Sequence, residues 1–575
     1  MTSIAVSTAI TSGRRDLVNV RTRSLLMAKW RVLWVVLGFA AIAMAAILRL
    51  AFLGMFSGLP SAADLAIALQ PQRGDITDRN GVPLARAFPA YALWYNPAAL
   101  GGDGPPLVHS PAQVAAALGR VFPDLDLAEM TKRLADGKPG YLRRRIMPED
   151  ANKIHALGEP ALEFPRETER FYPQGSMAAH VLGFVGADGR GHVGMEQVFN
   201  QRLTDPATRD TPAVLAIDTR VQGALEDEMS RAMLDTNAKG AAGVILDVDT
   251  GEVVALASLP SFNPNLIDRA GEANIFNRVT NQVYELGSVI KPITIAAAID
   301  AGVVTDLSRR YQSSRPIAIG GFEIHDSHSF GGSLNIPEAL IHSSNIVTAQ
   351  VADQLGGARL SATMRALGMN ERPYIELPAR GFPIWPRGDW SRITTMTVSF
   401  GHGLAITPLH LAEAYAAMVN GGIWRPATLI KVQPGTDVAG RRVFKASTSA
   451  RMRQLLRLIV DLGTGRKANA AGYRVGGKTG SADKPGAHGY QKTKIVATFA
   501  AAFPMDHPRY VIIAMLDEPQ ATAASSGQRT AAWNAAPLVG RLVPRIGPLL
   551  GIMPDTTRDV DITDLAPLIG SGDGE

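Results

Sequence analysis

The 575-residue chain contains no cysteine. That excludes disulfides, thiol nucleophiles and cysteine-ligated metals, although it does not assign a compartment. There is no internal repeat, and after the first 60 residues no apolar run is long enough to cross a membrane. A diffuse basic surface is also missing. The net charge is +6, but the excess sits in residues 1–31, where Arg14, Arg15, Arg21, Arg23, Lys29 and Arg31 face Asp16 alone. The rest is close to neutral, so nothing in the charge points to nucleic acid. Apolar content is ordinary for a globular protein, and the length allows several domains with a large core.

One long apolar run is present. Val32 to Leu48, about 17 residues between Arg31 and Arg49, is extended by Leu50 to Phe56, and Arg49 can snorkel to an interface. A cleaved signal peptide is the alternative, and Ala43-Met-Ala45 resembles a cleavage site. Such apolar cores are usually only about 7–15 residues long, which favours an uncleaved anchor. The basic flank then predicts a cytoplasmic N-terminus and an extracytoplasmic body.

The chain is organised around Ser288-Val-Ile-Lys291 and the apolar run after it. Pro292 is tolerated only in a first helical turn, so a helix over Ile293 to Ile299 must start close to Ser288; Gly302 predicts its end. Ser288 then lies at a helix N-terminus with Lys291 on the same face. A serine beside an amine can be a nucleophile with its base, provided burial or nearby positive charge keeps the amine neutral. A second Ser-x-x-Lys, Ser481 to Lys484, is followed by Pro485 and Gly486, which argue against a helix.

Around this stretch, Arg73 to Ala85 predicts a strand, an Asn-Gly turn and a second strand. Strands are also expected at Tyr141 to Ile146, Ala213 to Asp218, Lys494 to Phe503 and Arg509 to Leu516. Ala242 to Ala257 reads as a hairpin, and Arg474 to Ser481 begins as a strand. Helices are expected at Pro111 to Val121, Met195 to Leu203, Val221 to Leu234, Pro337 to Leu355, Pro408 to Met418 and Ala531 to Ile546. Arg143 to Arg145 can bind an anion or form a salt-bridged face, the commoner case. His325-Asp-Ser-His328 lacks a third partner for a metal, so no metal and no cofactor is expected. Glu196 reads as a structural polar contact.

Two further motifs follow Ser288. Ser343-Ser-Asn345 lies roughly 55 residues on and Lys478-Thr-Gly480 roughly 190 on, and Ser-x-x-Lys, Ser-x-Asn and Lys-Thr-Gly in that order form a known set. On these motifs the chain resembles a class B penicillin-binding protein. The likeness extends through Arg73 to Gly81, Tyr172 to Gly175, Gly194 to Glu196, Phe400 to Gly403, Leu516 to Gln520 and Trp533 to Pro537. It most resembles the division-specific, FtsI-type peptidoglycan D,D-transpeptidases, and no bifunctional glycosyltransferase domain is seen. Leu286 replaces a commoner proline and Ser481 a commoner threonine; neither change removes a reacting group.

The resemblance implies an α/β fold: a single transmembrane helix, an elongated α+β pedestal, and a transpeptidase domain with an antiparallel sheet flanked by helices. The expected boundaries are a cytoplasmic basic arm at 1–28, a transmembrane helix at 29–57, stalk and pedestal at 58–211, the transpeptidase at 212–553 and an acidic disordered tail at 554–575. Ser288 would attack the penultimate D-alanine carbonyl of a stem peptide, and Lys291 would take its proton. Ser343 would protonate the departing D-alanine, while Asn345 would hold the substrate amide and orient Lys291. Lys478 and Thr479 would bind the terminal carboxylate, Gly480 would let substrate lie along the strand, and the N–H groups of Ser288 and Ser481 would form the oxyanion hole. β-Lactams would acylate Ser288. The implied partners are a multi-span membrane glycosyltransferase and other divisome proteins, at the inner membrane with a periplasmic catalytic domain. An elongation-specific transpeptidase, a D,D-carboxypeptidase or β-lactamase, and a penicillin sensor are the alternatives. A non-catalytic scaffold would require Ser288→Ala to be silent.

Overall fold

A computed structural model describes residues 13–55, 73–100, 105–186, 188–486 and 489–569. The first part of the basic arm, the stalk expected at 58–69, most of the glycine-rich loop at 101–106 and the end of the tail lie outside these residues. Two compact units are formed, one from Met1–Gln70 with Pro89–Glu167, the other from Pro71–Phe88 with Thr168–Glu575.

The first unit begins with one helix, Gly13–Met55. Its apolar stretch Lys29–Arg49 is 21 residues long. At 1.5 Å per residue that is about 31 Å, the thickness of a bilayer's hydrocarbon core. Trp30, Trp34, Phe39 and Ile42 are all exposed, whereas a helix of a soluble core buries at least one face. The remainder packs three helices against a sheet. Pro111–Val121 starts at a Ser110–Gln113 capping box, Leu127–Ala135 at Asp126, and Pro148–His155 at a proline in its first turn. Val114, Leu118, Met130, Leu134 and Ile154 close over Leu93 and Tyr95. Arg143 pairs with Asp124 at 3.1 Å and Arg144 with Glu167 at 2.6 Å, so both serve a salt-bridged face.

In the second unit, Ile76–Thr77 pairs antiparallel with the start of Pro83–Tyr95, across Gly81 with φ +84°, and parallel with Ala213–Val214. Glu196 is fully buried between two guanidinium groups, Arg73 Nε at 2.8 Å and Arg170 Nε at 2.6 Å. A carboxylate so enclosed is held by charge-assisted hydrogen bonds and has a structural role.

The centre of this unit is a five-stranded antiparallel sheet in the order Val253–Leu259, Gly240–Asp247, Tyr510–Asp517, Gly489–Phe503, Gly476–Gly486. Its middle strands are apolar on both faces because both are covered. Side chains alternate across a strand. Val244, Leu246, Val511 and Ile513 therefore join one core, and Ile245, Ile512 and Leu516 the other. Thr219–Thr236 and Ala535–Ile546 cover the second face. Lys291–Asp300, Asn345–Leu355, Ala446–Leu462 and the wholly buried Pro408–Val419 fill the first.

Several expectations differ from the structure: the strand expected at Ala213 to Asp218 is only Ala213–Val214, and the helix expected from Ala531 begins at Ala535. The helix expected over Pro337 to Leu355 is two helices, Ile336–Ile341 and Asn345–Leu355, broken where Ser343 takes φ +62°. The helix expected over Met195 to Leu203 is interrupted at Phe199. Disorder does not describe the tail as far as residue 569. Arg457 pairs with Asp559 at 2.7 Å, the Asp555 N–H donates to the Gly472 carbonyl at 2.9 Å, and Leu565 is buried in the core. Its carboxylates meet arginines from distant parts of the chain, and its few apolar residues share one side.

Candidate active site

Ser288 lies in a 3-10 turn, Gly287–Ile290, that runs directly into the helix Lys291–Asp300. Pro292 occupies the first turn and Gly302 follows the end with φ +69°. Gly287 needs its φ of +63°, and a Cβ on Gly401 would lie 2.2 Å from the Gly287 carbonyl oxygen, so the turn is packed from outside. The Tyr415 hydroxyl donates to the Val289 carbonyl at 2.8 Å and fixes the turn from below.

Ser288, Ser343, Asn345, Thr479 and Ser481 line one cleft of about 1070 Å³. Lys291 and Lys478 are fully buried behind it. Lys291 Nζ donates to the Ser343 Oγ at 3.1 Å and also to the Ser343 carbonyl. Lys478 Nζ reaches the same Oγ at 2.9 Å and the Thr479 carbonyl at 2.9 Å. Burial disfavours an ammonium and holds Lys291 well below the usual lysine value; neighbouring Lys478 lowers it further, against the opposing pull of Asp326. Burial brings Lys478 down to about 7.

The left-handed backbone at Ser343 turns its hydroxyl towards both lysines, and the next helix starts immediately after it. Asp326 holds that start: it accepts from the Asn345 N–H, from the Ile346 N–H at 3.0 Å and from the Ser344 Oγ at 2.7 Å. Asn345 Nδ2 donates to the His325 carbonyl at 2.8 Å. The His325 to His328 stretch is thus a helix-capping loop, and no group of potential metal ligands occurs among the described residues.

Lys478, Thr479 and Gly480 belong to the edge strand Gly476–Gly486. A Cβ on Gly480 would stand 2.5 Å from the Leu286 carbonyl oxygen and 2.9 Å from a Val289 methyl. Only glycine lets the strand lie this close to the Ser288 turn. The Thr479 hydroxyl meets that of Thr464 at 2.7 Å, and Ser481 Oγ accepts from the Ala531 N–H at 3.0 Å. Ser481 is held from the side, and its main chain faces the turn.

Several participants carry no sequence signal. Thr464 sits in an ordinary Gly-Thr-Gly loop. Asp326 lies among histidines that draw attention to themselves. Glu285 accepts from the Gly403 N–H at 3.1 Å and the Tyr490 hydroxyl at 2.9 Å, and lies 3.4 Å from His402 Nδ1. Its partners are far apart along the chain.

The cleft brings together the Ser288 and Ser343 hydroxyls with two buried amines of lowered proton affinity behind them, side-chain types that acyl transfer can use. Comparison with known proteins agrees. A family model described as the penicillin binding protein transpeptidase domain matches residues 241–537, and one described as the penicillin-binding protein dimerisation domain matches 68–204. The "Probable peptidoglycan D,D-transpeptidase FtsI" of Caulobacter vibrioides is 38% identical over 87% of this chain and 85% of its own. The "Peptidoglycan D,D-transpeptidase FtsI" of Escherichia coli is 30% identical over 87% and 88%. Among solved structures, penicillin binding protein 3 of Mycobacterium tuberculosis complexed with aztreonam superposes with a TM-score of 0.66 at 25% identity, covering 86% of this chain and all of that one. The motif order, the buried lysines around one hydroxyl and these matches together place the chain in the penicillin-binding protein transpeptidase family, in its FtsI-type class B branch.

Proposed function

We propose that the chain is a serine D,D-transpeptidase that crosslinks peptidoglycan stem peptides at the division septum. The observation that carries this is the pair of buried lysines sharing the Ser343 hydroxyl beside Ser288. Ser288 Oγ attacks the carbonyl carbon between the two terminal D-alanines while Lys291 Nζ takes its proton. The C–N bond then breaks, Ser343 relays a proton to the leaving amine, and D-alanine departs. A neutral amine of a neighbouring strand attacks the acyl carbon and gives its proton to Lys291 Nζ, the bond to Ser288 Oγ breaks as Lys291 returns that proton to the oxygen, and the crosslink is made. Lys478 and Thr479 hold the terminal carboxylate, Asn345 holds the substrate amide, and Gly480 gives the peptide room along the strand edge. The N–H groups of Ser288 and Ser481 serve the oxyanion, where one donor is worth about 3 kcal/mol. A β-lactam acylates the same oxygen.

The septal role rests on the FtsI-type relatives. The apolar stretch Lys29–Arg49 of the helix Gly13–Met55 is the inner-membrane anchor, the basic arm lies in the cytoplasm, and the catalytic domain is periplasmic. Residues 58–211 form the stalk and pedestal, and 212–553 the transpeptidase. A multi-span glycosyltransferase and other divisome proteins are the partners. Intact mass after penicillin treatment tests the central claim. Wild type gains one adduct and Ser288→Ala none; equal adduct on both removes Ser288 from its role.

A further inference from the structure

The cleft at Ser288 has two ends. One, at Asn345, Phe400 and His402, adjoins a second, smaller cleft that shares those three residues. The other lies past Thr479. There the Thr464 hydroxyl meets that of Thr479 at 2.7 Å, and a Cβ on Gly463 would stand 2.9 Å from the Ile341 carbonyl oxygen. Leu462, Arg466, Trp533 and Ile569 complete the wall. The Lys467 ammonium sits 3.4 Å from the centre of the Trp533 ring and holds it in place. Ile569 arrives from the tail, which is fastened here by the Asn335 side-chain amide donating to the Leu568 carbonyl. This part of the wall therefore comes from outside residues 241–537, the stretch matched by the transpeptidase family model.

Arg466 is the unusual member of this wall. It is exposed on the cleft, and its guanidinium has no ion-pair or hydrogen-bond partner among the described residues. Other arginines of this region are occupied: Arg451 by Asp564, Arg457 by Asp559 and Arg474 by Asp506. The planar fork of a free arginine suits a carboxylate. On the proposed transpeptidase reading, Lys478 and Thr479 already hold the donor's own carboxylate, so a second anion has to come from the other substrate. The departing D-alanine nitrogen and the attacking amine bond to the same carbon. If one oxyanion site and one proton relay serve both steps, they do so from the same side. The acceptor strand therefore enters the space that D-alanine leaves, and its remainder continues past Thr479 to the end where Arg466 stands.

We infer that this end of the cleft is an acceptor-strand subsite, in which Arg466 binds a second carboxylate carried close to the attacking amine, beside the apolar wall of Leu462, Trp533 and Ile569. This rests on the transpeptidase reading. It makes the charge of the acceptor, and not only its amine, a determinant of which strands are joined.

The test uses the full-length protein in detergent, acylated by the thioglycolate thiolester of benzoyl-D-alanine. Thioglycolate leaves, and water, D-glutamine or D-glutamate then takes the acyl group from Ser288. The readout is the amount of each benzoyl-D-alanyl product formed in competition. The two amino acids differ only at the end of the side chain, an amide in one and a carboxylate in the other. D-Glutamate should be used about tenfold more than D-glutamine, the scale of one charge-assisted hydrogen bond, and raised salt should shrink that ratio. Arg466→Gln should bring the ratio to about one, and Arg466→Lys should restore part of it. Both products come from one acyl-enzyme, so a general loss of folded protein or of acylation cancels. Equal use of the two by the wild type, or a preference that survives Arg466→Gln, refutes the subsite and leaves the transpeptidase reading standing. If water alone takes the acyl group, or none reaches Ser288, the transpeptidase reading falls and the subsite with it.

Discussion

Lys291 and Lys478 donate to one oxygen, the Ser343 Oγ, at 3.1 and 2.9 Å. Burial disfavours the ammonium form of both, and the nearby Lys478 lowers Lys291 further. In the proposed mechanism Lys291 is the base and Lys478 the anchor for an anion. Similar side chains acquire different roles from their surroundings.

A pH profile follows. Lys478 titrates at about 7 instead of 10.5, so its proton leaves earlier as pH rises, and carboxylate recognition weakens as pH passes about 7. Lys291 works in the opposite sense, since its neutral form is the base and a lowered value makes that form available at lower pH. The kcat/KM for acylation by a soluble β-lactam is expected to be bell-shaped, with its alkaline limb near pH 7 in the free protein. Lys478→Arg stays charged and should move that limb upward. A flat rate from pH 6 to 9 in stopped-flow measurements would count against Lys478 as the anchor.

Ser343 combines a strained backbone with a needed hydroxyl, and two substitutions separate them. Glycine accepts φ +62° without strain, whereas a β-branched side chain there costs about 1–2 kcal/mol. Ser343→Gly should melt near the wild-type temperature yet lose about 100-fold or more in acylation rate. Ser343→Thr should keep more of the rate and lose stability. Thermal melts with acylation kinetics on both variants check this; the reverse pattern would show that the hydroxyl is not the proton carrier.

Asp326 is expected to position Asn345 through the helix start. Asp326→Ala leaves the Asn345 and Ile346 N–H groups and the buried Ser344 hydroxyl without this acceptor. A lost cap costs typically about 1 kcal/mol, and the displaced Asn345 should slow acylation as well. Asp326→Asn keeps an acceptor and should recover much of both. Wild-type acylation by the alanine variant would separate the loop from the chemistry.

The segment Pro554 to Ile569 should be protected in hydrogen exchange. Asp559 is half exposed, so its pair with Arg457 is screened and worth at most about 1 kcal/mol. Asp559→Ala, or raised salt, should therefore speed exchange across the segment about fivefold without unfolding the domain. Exchange as fast as in a free peptide before mutation would mean that the segment is not held in solution.

Local backbone constraints are visible in a sequence, whereas long-range contacts are not. The start of the Ser288 helix was legible because Pro292 and Gly302 constrain the backbone locally. The central strands were legible as apolar runs. The break at Ser343 was not, because the residues on either side keep a helical pattern and serine carries no mark of positive φ. The tail looked disordered because its arginine partners, Arg451, Arg457 and Arg474, lie about 80 or more positions upstream.

By itself, the chain determined which reactive groups exist, their order, the absence of thiol chemistry, and the one stretch able to cross a membrane, since these follow from composition and short-range backbone limits. Only the tertiary structure decided that two lysines meet one hydroxyl, that burial lowers their proton affinity, and that a second cleft adjoins the first. Desolvation and Coulomb interaction depend on distance in space, and segments nearly two hundred residues apart acquire that proximity only when the sheet and its helices close around them.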